Sequence, residues 1–181
     1  MQKTLVLLLL ILYLSVSCSA IRFLGYLGGR DNVGGRLKDT TFESRDVVYE
    51  IGKLAPDWEL IGLKKGDIAF YSEQRRATIT ANSTCRDNRP HSLKALSDSQ
   101  VIGIKSKREL LRTAMRVDGQ DAMAVVWEGM LDGVPVKIAG VVFKDEGCIF
   151  DFTYSSLPEV FPRAYGEFVK FLDGFRVVRR K

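Results

Sequence analysis

Between Arg108 and Ser155 the chain reads RELLRTAMRVDGQDAMAVVWEGMLDGVPVKIAGVVFKDEGCIFDFTYS, and the turns in this stretch decide the fold. Asp118-Gly119 and Asp132-Gly133 each stand between apolar, β-branched runs. Asp-Gly is a strong hairpin signal because the tightest two-residue turn needs positive φ at both positions. Asp145-Glu146-Gly147 supplies a third turn. The runs between them predict four strands, over 108–117, 120–131, 134–144 and 148–155, joined as an antiparallel meander. A two-residue turn at Asp132-Gly133 also sets the register, so that Leu131 opposes Val134 and Trp127 opposes Ile138. Apolar residues fall on both faces: Ala122, Ala124 and Val126 alternate with Met123, Val125 and Trp127. A sheet with one solvated face would carry polar residues on that face, so both faces are expected to be covered at least in part.

Two helices are available as covers. Ser156-Leu157-Pro158-Glu159 has capping-box spacing with Pro in the first turn. Behind it Phe161, Tyr165, Phe168, Leu172 and Phe175 recur every three or four residues, the stripe of an amphipathic helix. Pro162 is expected to bend or delay its start, and Gly174 to mark its end. Pro90-His91-Ser92 introduces a shorter helix, from Leu93 to about Val101. Upstream, 47–51, 58–61, 67–71 and 76–83 read as further strands. The expectation is an α+β fold, an α/β/α-type sandwich whose largely antiparallel sheet is covered by helices.

Leu54-Ala55-Pro56-Asp57-Trp58, the strands after it, a helix, the long meander and the ending Phe168-x-x-Phe171-Leu172-x-x-Phe175 together resemble the PsbP-like fold. That fold includes the extrinsic photosystem II protein PsbP and exported bacterial lipoproteins. The segment Gly147-Cys148-Ile149-Phe150-Asp151-Phe152-Thr153-Tyr154 is more similar to the bacterial lipoproteins. The resemblance covers residues 45 to 177 and implies binding or stabilising a larger assembly rather than catalysis. None of its motifs is a functional one, so it transfers no functional residue.

The N-terminus is read independently of the fold. Met-Gln-Lys is followed by an uncharged run from Thr4 to Ala20, almost purely apolar from Leu5 to Val16. A basic start, an apolar stretch of this length and small residues after it form a secretory signal, and the run is shorter than the ~20 residues of a spanning helix. Leu14-Ser15-Val16-Ser17-Cys18 resembles a lipobox, with Ser15 where a large apolar residue is usual. Two maturation routes fit: lipidation at Cys18, or ordinary cleavage after Ser17 or Ala20. The chain thus divides into a signal, 1–18, a Gly-rich tether, 19–40, and one globular domain, 41–181. Lipidation would anchor the protein at a membrane, facing the periplasm or the extracytoplasmic side. Ser19 is compatible with outer-membrane sorting if the source has two membranes.

Cys85 and Cys148 remain once Cys18 is set aside. In an oxidising compartment two cysteines of an exported domain pair, the alternative being two buried thiols. With 27 Lys and Arg against 22 Asp and Glu the net charge is +5, falling to +4 when Lys3 leaves with the signal. This is mild, no nucleic-acid module is evident, and export argues against one. The basic end Arg176, Arg179, Arg180, Lys181 reads as a frayed, solvated terminus.

A serine hydrolase needs a base beside its nucleophile, and the one histidine, His91, stands at a helix start where surface exposure is the simplest reading. Neither a metal site nor a cofactor is expected. Asp151, inside an aromatic strand, reads as an edge or solvent-facing acid paired with Lys or Arg, and Arg75-Arg76 as a solvated turn. Two functions follow. The first is a non-enzymatic cell-envelope lipoprotein that binds a protein partner or assembly. The alternative is a carrier or sensor holding a small apolar ligand between sheet and helix, lined by Trp127, Phe150, Phe152 and Phe168.

Overall fold

The computed structural model describes residues 35–63, 66–85 and 91–180. The segment read as a signal, 1–18, the lipidation expected at Cys18, and the expected tether up to residue 34 lie outside the described residues. In chain order the elements are β1 (Gly35–Lys38), β2 (Thr41–Ser44), β3 (Val47–Glu50), β4 (Glu59–Leu60), β5 (Ile68–Ser72) and β6 (Ala77–Cys85). Then come α1 (Leu93–Ser99), β7 (Lys105–Val117), β8 (Gln120–Leu131), β9 (Val134–Asp145), β10 (Cys148–Ser156), α2 (Phe161–Asp173) and β11 (Arg176–Arg180). They form a seven-stranded sheet of order β4-β5-β6-β10-β9-β8-β7 and a four-stranded sheet of order β1-β2-β3-β11. Each pairing is antiparallel.

The meander forms as its turns dictate. Asp118 with Gly119 and Asp132 with Gly133 take positive φ, and Leu131 opposes Val134 while Trp127 opposes Ile138. The sheet then extends beyond the meander, because β6 pairs with β10 along its full length, from Cys148 opposite Cys85 to Ser156 opposite Ala77. One face carries Ala77, Ile79 and Ala81 from β6 and Phe150, Phe152 and Tyr154 from β10, all buried. It packs on α2 through Phe152 against Phe171, ring centroids 6.3 Å apart, and Tyr154 against Phe168 at 5.9 Å. Pro162 stands in the first turn of α2, which is delayed to Phe161; its cap residue, Val160, makes no side-chain capping bond, and the helix ends at Gly174.

The fold class is the expected one, with a second sheet as a finding beyond it. β3 and β11 bring Tyr49 and Phe175 onto Phe150, at 5.9 and 5.3 Å, so the small sheet and α2 share the cover of one face. Two readings change here. β1 begins at Gly35, inside the stretch read as tether to residue 40, because Leu37 packs on the core between exposed Arg36 and Lys38. The basic C-terminus is not frayed as far as Arg180: β11 pairs with β3, which shelters Val47 and Val48. Four-residue strands and a run of arginines give almost no periodicity to read. Gly52 lets the chain leaving β3 cross α2, since a Cβ there would stand 2.0 Å from the Lys170 carbonyl oxygen.

The Leu54–Trp58 motif is structural. Asp57 accepts from Arg75 Nε at 2.6 Å, Arg75 Nη2 at 3.1 Å and Ser72 Oγ at 2.8 Å, clamping the β5–β6 hairpin. The reading of Arg75 as solvated is thereby corrected, since its guanidinium has a bidentate carboxylate partner. The Ala55 amide donates to Glu167 Oε2 on α2 at 3.2 Å, and Trp58 is buried.

Candidate functional site

The second face of the large sheet is covered in part. α1 starts at Ser92, whose hydroxyl accepts from the Ala95 amide at 3.1 Å. It is strapped to β7 by Arg112, which reaches Asp98 on α1 at 2.6 Å and Glu109 at 2.8 Å. The turn after it sets Val101 on Val136 and Ile138, with Trp127 packed alongside. Gln100 lies flat on the sheet and its Nε2 donates to the Val141 and Phe152 carbonyls at 3.3 and 3.2 Å. It can do so because residue 140 is Gly: a Cβ there would stand 2.3 Å from Gln100 Oε1.

α1 packs on β8 and β9. The same face of β6 and β10 is a polar ladder, with Thr84, Asn82, Thr80 and Thr78 opposite Ile149, Asp151, Thr153 and Ser155. The Thr80 and Thr153 hydroxyls are 2.6 Å apart, and Asn82 Nδ2 donates to Asp151 Oδ1 at 3.1 Å. At one end a cavity of about 540 Å³ opens against α1, lined by Thr84, His91, Leu96, Gln100, Ile149 and Asp151 among others. At the other end a cavity of about 340 Å³ is lined by Tyr71, Thr78, Leu131, Val134 and Ser155 among others.

Asp151 is therefore not the edge residue paired with a base that the sequence suggests. It stands on an inner strand, and among the described residues no lysine or arginine pairs with it. Burial pushes its carboxyl up to about 6, against the Asn82 hydrogen bond, and Asp67 adds to the rise. Asp67 sits behind Asn82, whose Oδ1 accepts from the Asp67 amide at 3.2 Å. Its own Oδ2 accepts from Ser83 Oγ at 2.5 Å and Tyr49 Oη at 3.0 Å. That links the two sheets, and burial raises the Asp67 carboxyl as well.

Of the four aromatics read as one ligand pocket, Phe150, Phe152 and Phe168 share one buried cluster and Trp127 stands apart from it. Phe150 and Phe152 are 0% and Phe168 1% exposed, with Phe150 and Phe152 stacked on Phe143 at 5.1 and 6.0 Å. Trp127 lies on the opposite face, with Arg112 and Lys107 each 5.8 Å from its ring centre. Cys85 and Cys148 are directly opposed in register and joined as a disulfide. His91 lines the larger cavity, and its carbonyl accepts from Lys144 Nζ. Asn82, Thr80, Thr153 and Gln100 were not singled out from the sequence. The signal for the ladder is the alternation of Thr78, Thr80, Asn82 and Thr84 with Ala77, Ile79 and Ala81.

Among the described residues no helix is long and apolar enough to cross a membrane, and no group of His, Cys, Asp and Glu could hold a metal ion. The two-sheet arrangement with α1 and α2 on opposite faces is a PsbP-like α+β fold. No family model matches the chain, and no curated protein is similar to it in sequence. The fold is similar to that of LpqN of Mycobacterium tuberculosis, a protein involved in cell envelope biogenesis. The two are 13% identical with a TM-score of 0.55, over 74% of this chain and 86% of that one. It is likewise similar to cyanobacterial PsbP (CyanoP) of Synechocystis sp. PCC 6803, at 14% identity and a TM-score of 0.51 over 83% and 96% of the two chains. Identities this low speak for the fold alone.

Proposed function

We propose that this chain is a non-enzymatic cell-envelope lipoprotein, exported and held by lipid on Cys18, that binds a protein partner on the Thr–Asn–Asp ladder of β6 and β10. The observation that carries the reading is the contrast between the two faces of the large sheet. The apolar face is occupied by its own aromatic side chains, with Phe150, Phe152 and Phe168 at 0–1% exposure. The ladder face leaves hydroxyls, an amide and a carboxylate beside two cavities. Polar groups arranged on a rigid sheet suit recognition by hydrogen bonds. The involvement of LpqN in envelope biogenesis agrees with this compartment.

The apolar-carrier alternative draws no support from the residues named for it: Phe150, Phe152 and Phe168 fill the space between sheet and α2, and Trp127 lies on the other face.

The test is site-specific photo-cross-linking in intact envelopes. Probes at Thr84 and Ser155 should capture one and the same protein, and a probe at Asp173, the last residue of α2, should not. Equal capture from all three positions, or none from the ladder, overturns the reading. The anchor is checked separately: diacylglyceryl mass on Cys18 and release of Cys18→Ala from the membrane are expected. Cleavage after Ala20 with a free protein would remove the anchor.

A further inference from the structure

The cavity beside Asp151 has an acceptor at its wall, apolar neighbours and, among the described residues that line it, no lysine or arginine. Asp151 and Thr84 bring oxygen acceptors, while Val142, Ile149, Ala95 and Leu96 supply aliphatic surface. Asp151 receives one neutral hydrogen bond, from Asn82, and among the described residues no ion pair. Lys144, the cation on neighbouring β9, is directed onto the His91 carbonyl. A carboxylate in a partly dry site with no counter-charge attracts a cation strongly. Aliphatic walls next to it suit the methylene stem of such a cation. At about 540 Å³ the space admits a long side chain rather than a bare ion.

We propose that this cavity is the anchor point of the partner, receiving an alkylammonium group presented by a partner lysine. The ammonium pairs with Asp151 and hydrogen-bonds Thr84, and the stem lies over Ile149 and Val142. This rests on the partner-binding reading and adds the chemistry of its central contact. Asp151 is charged only above its raised pKa of about 6, the rise being set by burial and helped by Asp67. Among the described residues, the other ionisable groups near the site are His91, Lys144 and, behind Asn82, Asp67. Capture of the ammonium is therefore expected to strengthen between pH 5 and 7.5.

The experiment is an NMR titration of the mature chain in neutral detergent with Nα-acetyl-lysine-N-methylamide, its norleucine counterpart and cadaverine. The lysine derivative should shift the amide resonances of Thr84, Val142 and Asp151 saturably at pH 7.5, and at least tenfold more weakly at pH 5. The norleucine analogue should leave them in place. Asp151→Asn, which keeps the Asn82 bond, should lose at least tenfold in affinity. Thr84→Val, on the cavity wall, should lose a smaller factor. Equal shifts from lysine and norleucine derivatives, or undiminished binding to Asp151→Asn, overturns the proposal. Cadaverine binding more than tenfold tighter than the lysine derivative would overturn the partner-lysine source in favour of a free polyamine. If ladder probes capture a partner while the titration is silent, only the lysine contact falls. If the titration succeeds and no partner is captured, the partner reading falls instead.

Discussion

Asn82 and Asp151 stand directly opposite each other on β6 and β10, and Asn82 Nδ2 donates to Asp151 Oδ1 across 3.1 Å. The same Asn82 accepts from the Asp67 amide through its Oδ1, so one amide holds the side chain of one raised acid and the backbone of another.

The burial of Asp151 makes it a cost to stability. Its carboxyl is raised from 3.8 to about 6, so the folded state binds a proton that the unfolded chain has already lost between those values. Stability therefore declines as pH rises from about 4 to 6 and stays reduced above, by ~3 kcal/mol if the whole displacement is realised. Asp151→Asn should raise stability by ~1–3 kcal/mol at pH 7.5 and by little at pH 4, read by urea unfolding at both pH values. Equal effects at the two pH values would contradict a raised carboxyl.

Asp57 has the opposite sign. Hydrogen bonds from Arg75 and then Ser72 hold its carboxyl down at about 2. Its contribution is complete above about pH 4 and disappears as pH falls from 4 through 2. Arg75→Ala should cost about 1 kcal/mol at pH 7, and the gap to wild type should close in acid. Denaturant unfolding at pH 7 and pH 2.5 checks both parts.

The Cys85–Cys148 bond joins residues 63 apart in sequence. In the chain-entropy model its loss removes ~4 kcal/mol. A Cys85→Ala, Cys148→Ala double variant should unfold at markedly lower urea concentration. Reductant should bring wild type down to the same midpoint and leave the variant unmoved.

Gly140→Ala is a positional test of α1. A Cβ there meets Gln100 Oε1 at 2.3 Å, so Gln100 must lift off the Val141 and Phe152 carbonyls. The expected loss is about 1–2 kcal/mol, with faster hydrogen exchange confined to 93–101. Gln100→Ala in the same chain should absorb most of the penalty.

The meander was legible because three turns carry Asp, Glu and Gly where positive φ is required, and Trp127 opposite Ile138 follows from turn length alone. α2 was legible from its aromatic spacing, and Pro162 from its missing amide. The ladder was half legible. Its two stripes, Thr78 to Thr84 and Asp151 to Ser155, each alternate in the sequence. Nothing local says that β6 skips the meander to pair with β10, and that pairing is what turns Asp151 from an edge acid into an inner one. The error over Phe150, Phe152 and Trp127 has the same origin. Residue parity assigns each to a face of its own strand, and only the register relates one strand's faces to another's.

The place of β11 has a consequence for the order of events in making this protein. A chain leaves the ribosome from its N-terminus, so β3 is available long before the residues that will flank it. Val47, Val48 and Tyr49 wait for 176–180, and the ring of Phe175, which meets Tyr49, Phe143, Phe150 and Phe152 at 5.1–5.4 Å, arrives only after the strands it joins. Native closure of this domain thus waits for residues 175–180, with contacts spanning nearly the whole domain and a correspondingly slow search. A chain ending before Phe175 would keep most of its strands yet lack the keystone of its aromatic core. The arrival of residues 175–180 becomes, in effect, the checkpoint for compaction.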